Sequence, residues 1–225
     1  MTRQLDVGAV VRRERDALAA ETRIAHCPPL VAVNDIDEVA RIPSQLRWNN
    51  ATTVKALPGS SGTAFIVDCP SLASTCLWAG TDNNAYRDDY LRFLNATYQL
   101  NLARIPANYD IDHLYNRSRA QMYGLRFIRL ALVEGRANRS HGGAYEKDIT
   151  VNEALRVRKD MKLMDEISSM KYFGFLSPLR DNPRDREVRA YAAFAASNMG
   201  LDPDVVRENV LYLRKKASTP WARKK

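Results

Sequence analysis

Tyr109-Asp110-Ile111-Asp112-His113-Leu114 is the stretch that decides the predicted fold, because it reads as a short strand that ends in an Asp-His pair. A polar connection over residues 115–124 leads to a second run with β-type apolar content, LRFIRLALV at 125–133. Residues 134–140 then predict a short helix, which Gly142-Gly143 ends. The predicted order is therefore strand, loop, strand and short helix.

Three residues of this unit are of the types that phosphodiester hydrolysis needs. Asp112 is a hard oxygen ligand suited to Mg²⁺ or Mn²⁺. The imidazole of His113 can take a proton from water, since its ordinary pKa is about 6.5. Asn138, 25 positions after the histidine, offers a neutral carbonyl oxygen as a second ligand. In an extended segment Asp112 and His113 point to opposite faces, so either the strand end bends or the metal ion and the water lie on different sides of the scissile group.

This arrangement resembles the HNH (His-Me finger) endonucleases, whose core is a ββα-metal fold. The match covers residues 109–148, where DIDH is similar to the first-strand motif and ANRSHGG to the metal-binding helix. The resemblance implies that Asp112 and Asn138 are metal ligands and that His113 is the general base. It also implies that Asp110 orients this base or supports the metal from a second layer.

One position departs from the family pattern. Many members have a proline shortly after the histidine, where this chain has Tyr115-Asn116. Asn116 is the candidate for the asparagine that braces the loop between the two strands in that family. The departure concerns the geometry of the loop more than the chemistry.

Several polar residues around the unit are further candidates. His141 follows Asn138 by three positions, hence on a similar helix face, and is a candidate metal or phosphate contact, with a solvent-exposed helix end as the alternative. Glu146 is a candidate for completing the metal shell, with an ordinary charged surface as the alternative. Because a planar guanidinium binds phosphate in bidentate fashion, four arginines are candidate nucleic-acid contacts, with a solvated surface as the alternative. These are Arg117, Arg119, Arg136 and Arg139.

The charge of the chain favours a polyanionic partner. The 225 residues carry a net charge of +8, and six arginines between positions 117 and 139 are opposed there only by Glu134. We expect nucleic acid as the partner, DNA rather than RNA, although an anionic membrane surface or plain solubility would also fit such a charge. With 45% apolar and 27% charged residues, the composition excludes a disordered chain.

The predicted fold class is α+β, mostly helical, with the small ββα-metal core embedded in helical flanks. We divide the chain into a mainly helical region over 1–104, the catalytic core over 105–150 and a helical region with a basic tail over 151–225. Hydrophobic periodicity and capping residues predict the individual elements. Helices are expected over 4–22, 35–40, 83–102, 151–170, 184–199 and 203–216, and a further short strand over 63–67.

Cysteine usage and the amino terminus indicate the compartment. Cys27, Cys69 and Cys76 have no metal-binding spacing and are expected to be free thiols. The first residues do not form a secretory signal, and no stretch approaches 18 apolar residues. We therefore expect a cytoplasmic protein without a membrane partner. Export by a signal-less route, and a protein partner or inhibitor, stay open.

The leading functional prediction is a metal-dependent endonuclease that uses a histidine base and one divalent ion. Two alternatives stay open. One is a non-catalytic basic nucleic-acid-binding protein of phage or mobile-element origin. The other is a toxin or effector that uses the same nuclease chemistry against a rival cell.

Overall fold

The fold combines helices with one antiparallel sheet, which confirms the predicted α+β class. The computed structural model describes residues 6–45, 52–60, 62–142, 160–178 and 185–218. Its helices are α1 (Val7–Ala25), α2 (Glu38–Gln45), α3 (Tyr86–Tyr98), α4 (Arg117–Met122), α5 (Gly135–His141), α6 (Glu166–Tyr172), α7 (Asp185–Met199) and α8 (Pro203–Ser218). Its strands are β1 (Leu30–Val33), β2 (Thr53–Ala56), β3 (Ala64–Cys69), β4 (Ser74–Gly80), β5 (Tyr109–His113), β6 (Phe127–Glu134) and β7 (Met161–Leu163).

Strand β6 is the centre of the sheet. Its amino-terminal half pairs with β4 on one side and β1 on the other, and its carboxy-terminal half pairs with β5, with His113 opposite Leu130. The sheet order is β2-β3-β4-β6-β1-β7 among the described strands. Seven of the eight residues of β6 are buried, which explains why six of these seven are apolar, with Arg129 as the exception, and why apolar and polar residues do not alternate. The strand-strand-helix unit is therefore part of a larger sheet, and the three-region division of the chain stays a prediction.

Three strands of this sheet, β1, β2 and β4, escaped prediction. The first, Leu-Val-Ala-Val, is buried at all four positions, so it shows no alternation, and it is too short to distinguish from a helix segment by composition. The predicted helix over 151–170 is wrong at residues 161–163, which form β7 and pair with β1. Residues 151–159 lie outside the described residues. A strand of only three residues forms because it pairs with a partner strand. The hydrophobic periodicity of its own segment gives no information about that partner.

The boundaries of three helices, the starts of α1 and α3 and the end of α2, can be compared with the predictions from sequence. The Asp6 side chain accepts a hydrogen bond from the backbone N–H of Ala9 at 2.7 Å and begins α1. Helix α2 was expected to end before Pro43, but it continues to Gln45, so that expectation is wrong. Asp82 does not cap α3 as predicted. Instead Ala85 holds the N-cap position of that helix.

An ion pair lies inside the core between α1 and β6. Nη1 of Arg129 lies 2.9 Å from Oε2 of Glu21, and the two side chains are only 7% and 8% exposed. Arg129 is one of the six arginines between positions 117 and 139 that favoured a polyanionic partner, but its side chain is buried, so it does not belong to a surface that could bind one. Its guanidinium is directed inward, where an unpaired charge would be very costly, and the glutamate of α1 neutralises it.

A second carboxyl group of α1, that of Glu14, is half-buried. Glu14 accepts hydrogen bonds from the hydroxyl groups of Tyr90, at 3.2 Å, and Tyr98, at 3.5 Å. Burial raises the pKa of Glu14 to about 7, although both tyrosines and Arg129 oppose the shift. The folded protein therefore keeps the proton of Glu14 through the mildly acidic range.

We expect Glu14 to make the protein less stable as the pH rises. An unfolded glutamate releases its proton near its ordinary pKa of 4.5, but the folded one does so near 7, so the stabilisation present below pH 4.5 is lost between these values. The loss should be about 2 kcal/mol after a discount for partial exposure. Urea unfolding of wild type and Glu14→Gln at pH 4.5 to 8 measures it. A difference between the two proteins that does not change with pH would contradict the prediction.

The cysteines are free thiols, as predicted. Burial raises the pKa of Cys76 to about 11, so this thiol stays protonated at neutral pH. Within the described residues, no helix has the length and apolar character needed to cross a membrane.

Candidate functional site

The candidate site is organised by β5, a regular extended strand from Tyr109 to His113. Because side chains alternate along a strand, Tyr109, Ile111 and His113 share one face, while Asp110 and Asp112 share the other. Tyr109 and Ile111 pack against the apolar cluster formed with α1 and α3. The face with the two aspartates lies against α5 and α6. Strand β5 is paired with β6 along its whole length, from Tyr109 to His113.

Helix α5 brings Asn138 onto the aspartate face. Nδ2 of Asn138 donates a hydrogen bond to Oδ2 of Asp110 at 3.1 Å. Nη1 of Arg139, whose side chain is 69% exposed, lies 3.8 Å from the same oxygen. The strand-strand-helix order is thus confirmed at the level of secondary structure, and two predicted site residues from separated segments are in contact.

Asp112 has a partner that sequence reasoning missed. Nζ of Lys171 in α6 lies 2.5 Å from Oδ2 of Asp112. The lysine side chain is 3% exposed and the aspartate side chain 20% exposed, so the pair is largely shielded from water. Lysine in a helix is usually solvated, and no local pattern in the sequence distinguishes this one.

His113 lies on the opposite face of the strand, against α3. Its ring centroid is 4.5 Å from that of Tyr86, and its Nε2 atom is shielded from solvent. Burial raises the pKa of the Tyr86 phenol, with Asp112 adding to the shift and Arg87 opposing it, so the neighbouring ring is neutral. The structure therefore does not turn His113 toward Asp110, Asp112 and Asn138.

The connection between β5 and β6 contains the short helix α4, which was expected to be a loop. The side chain of Asn116 caps this helix by accepting a hydrogen bond from the backbone N–H of Arg119 at 3.0 Å. Arg117 donates from Nε to the carbonyl oxygen of Thr81 and from Nη2 to Oδ1 of Asn84 at 2.9 Å. Asn116 thus stabilises the connection locally, and Arg117 ties it to the segment before α3.

The remaining predicted residues are scattered around this centre. His141 is 2% exposed, with Nε2 3.1 Å from the carbonyl oxygen of Phe175, so it is not the exposed helix-end histidine of the alternative interpretation. Arg136 is exposed on α5. Glu146 lies outside the described residues. Arg139 is therefore the exposed arginine with a contact to the aspartate face, at Asp110.

The donors on the aspartate face have the chemistry of a hard-cation site. Two carboxylates and a side-chain amide supply the oxygen ligands that Mg²⁺ and Mn²⁺ prefer. Across the ranges that the structure describes, no group of three or more His, Cys, Asp or Glu side chains could hold a metal ion. The predicted set contains only two carboxylates and an asparagine, and this asparagine turns its amide nitrogen toward Asp110, so these side chains do not form a preassembled metal site. The ammonium group of Lys171 competes for one of these carboxylates.

Comparisons of the chain with family models, with curated proteins and with solved structures gave no significant match. The function is therefore inferred from the geometry and chemistry of the residues themselves.

Proposed function

We propose that the protein is a divalent-metal-dependent endonuclease that hydrolyses phosphodiester bonds at the end of β5. The observation that carries the proposal is the 3.1 Å contact between Asn138 and Asp110. It joins the helix and the strand that the ββα-metal arrangement requires, on the face that also holds Asp112. Three oxygen-bearing side chains then share one side of the strand.

The position of β5 suggests how residues on opposite faces can act on one phosphate. Among the described strands, β5 pairs only with β6, so its other edge has no strand beside it. A phosphodiester at this edge, near the strand end, could be approached by Asp112 from one face and by His113 from the other. This geometry matches an attacking water and a metal ion on different sides of the scissile group.

The roles of the residues follow from this arrangement. His113 accepts a proton as the water oxygen attacks phosphorus, and the bond from phosphorus to the leaving oxygen breaks. Arg136 and Arg139 bind the flanking phosphates. Asp112 and Asn138, with Asp110, would hold the divalent ion, which would neutralise the charge that develops on the phosphate. For this step the imidazole of His113 has to rotate out of its contact with Tyr86.

Removal of the asparagine tests the proposal. We expect Asn138→Ala to lower the cleavage rate at limiting Mg²⁺ by about 10- to 100-fold. This is the usual effect of removing a side chain that orients a metal ligand. The rate is measured on plasmid and on single-stranded RNA, with Mg²⁺, Mn²⁺ or EDTA. Asn198→Ala is the matched control, since Asn198 is exposed on α7. Cleavage that persists in EDTA, or that Asn138→Ala leaves unchanged, would contradict the proposal.

A second candidate is a nucleic-acid-binding protein that does not cleave. It is favoured by the pairing of Asp112 with Lys171 and by the packing of His113 on Tyr86, since both are common arrangements of structural residues. This candidate predicts binding whose affinity falls steeply with salt, because each neutralised phosphate releases counterions. Binding without cleavage by wild type, unaltered in His113→Ala, would favour it. A toxin or effector that uses the same nuclease chemistry stays a prediction.

A further inference from the structure

The three cysteines of the chain line a single cavity between α2 and the sheet. Cys69 of β3 and Cys76 of β4 contribute from the sheet, and Cys27 contributes from the segment after α1. The cavity has a volume of about 50 Å³. By this measure a water molecule needs about 10 to 15 Å³, so the space is large enough for a small organic molecule.

The walls of this thiol-lined cavity are mainly apolar. Val67 and Trp78 of the sheet are buried, as is Val39 of α2. Two further lining residues, Pro28 and Leu163, are exposed to solvent. The cavity therefore opens toward Pro28 and Leu163, and its interior is bounded by buried apolar side chains.

The charges on the cavity wall neutralise each other. Among the described lining residues, the charged side chains are those of Glu21 and Arg129, which form the buried ion pair with a separation of 2.9 Å. The thiol of Cys76 is also uncharged at neutral pH, because burial raises its pKa to about 11. An ionised ligand would lose its hydration and meet no counter-ion there, whereas a neutral ligand avoids this cost.

Two lining side chains have a polar atom without a hydrogen-bond partner among the described residues. These atoms are Nε1 of Trp78 and Oγ1 of Thr52, and both are shielded from solvent. The thiol of Cys76, which interacts with the Trp78 side chain, is only a weak acceptor. Buried polar groups in folded proteins nearly always have a partner, so a ligand oxygen would supply what the wall lacks.

We propose that this cavity binds a small neutral molecule with an apolar body and one hydroxyl or carbonyl oxygen. Burial of the apolar body against the cavity walls provides the favourable free energy. The oxygen adds a hydrogen bond to the wall. The proposal does not depend on phosphodiester cleavage, because none of the candidate nuclease residues lines the described part of the cavity.

The cysteines allow binding to be measured on the unmodified protein. Since all three line the cavity, the reaction of protein thiols with methyl methanethiosulfonate reports on this place alone. 1-Pentanol is the probe, because a five-carbon alcohol fits a cavity of this size that is open on one side. We expect it to slow the reaction by about 10-fold at about ten times its dissociation constant, since only the empty cavity then reacts. Mass spectrometry gives the rate at each cysteine, and glutathione in the same solutions corrects for effects of the alcohol on the reagent.

Two charged probes of the same chain length test the chemical class of the ligand. Pentanoate and pentylammonium replace the hydroxyl group by an anion and a cation. Both should protect the thiols at least about 10-fold more weakly than 1-pentanol, because the ion pair in the wall leaves no charge to balance theirs.

A variant that fills the cavity tests the place of binding. Val67→Phe puts a larger side chain into the interior and should abolish the protection by 1-pentanol. Ile66→Phe is the matched control, since Ile66 is the preceding residue on β3 and packs in the apolar cluster on the opposite side of the sheet. It should bind 1-pentanol as wild type does. Circular dichroism establishes that both variants are folded.

The proposal requires protection that levels off with 1-pentanol and is absent from folded Val67→Phe. Three results would overturn it: no protection up to the solubility limit of the alcohol, equal protection by all three probes, or protection that persists in folded Val67→Phe. If Val67→Phe does not fold, the comparison of the three probes on the unmodified chain decides.

Discussion

Replacement of His113 by alanine is expected to slow phosphodiester cleavage by about 10²- to 10⁴-fold, the contribution typical of a general base. His113 is the last residue of β5 and is the imidazole nearest in sequence to the aspartates of the candidate site. Without it, no group in the proposed arrangement takes the proton of the attacking water. Initial rates on plasmid and single-stranded RNA, at saturating Mg²⁺ and Mn²⁺, measure the effect.

A distant histidine gives the control for this experiment. His26 follows α1 in the left-handed conformation, with a φ of 52°, which asparagine tolerates better than most residues. His26→Asn should therefore cleave as wild type does and should unfold at a similar temperature. If His113→Ala cleaves as fast as wild type while remaining folded, the histidine is not the base and the nuclease mechanism fails.

Replacement of Arg129 by methionine is expected to lower the free energy of unfolding by about 3 to 5 kcal/mol. The change leaves the carboxylate of Glu21 inside the core without its counter-ion, which lay 2.9 Å away. Such a loss is a large part of the stability of a domain of this size. Urea unfolding followed by far-ultraviolet circular dichroism gives the difference.

Two further variants separate the buried charge from a general loss of packing. Arg129→Met combined with Glu21→Gln should recover part of the stability, since no ionised group is then left unpaired in the interior. Arg41→Met breaks a surface ion pair in which the side chain of Arg41 is 57% exposed and that of Glu38 is 28% exposed. It should lower the free energy of unfolding by less than about 1 kcal/mol. If Arg129→Met were no more destabilising than Arg41→Met, the ion pair would not contribute as proposed.

Elements that carry their own local signal were predictable. β5, β6 and α5 were expected in the correct order, because a polar-ended strand, an apolar run and a glycine-ended helix each have a signature within a few residues. The face shared by Asp110 and Asp112 also follows from sequence, since residues two apart on a strand point the same way. That Asp112 and His113 diverge follows from the same alternation.

Elements that depend on a distant partner were not predictable. β7 was taken for part of a helix because its three residues become a strand only by pairing with β1, about 130 positions earlier in the chain. Arg129 resembled the surface arginines around it, yet Glu21, 108 positions away, brings it into the core. No residue near Lys171 in the sequence indicated that its side chain would be buried and paired with Asp112.

Local sequence patterns were enough to predict the order of β5, β6 and α5 and the face of β5 on which each of its candidate residues lies. The contacts of Asn138 with Asp110, of Lys171 with Asp112 and of His113 with Tyr86 became known only from the folded chain. Local spacing fixes the direction of a side chain, because backbone geometry repeats every two or 3.6 residues. The partner that the side chain meets depends on how segments far apart in the chain pack together, and no short pattern records that.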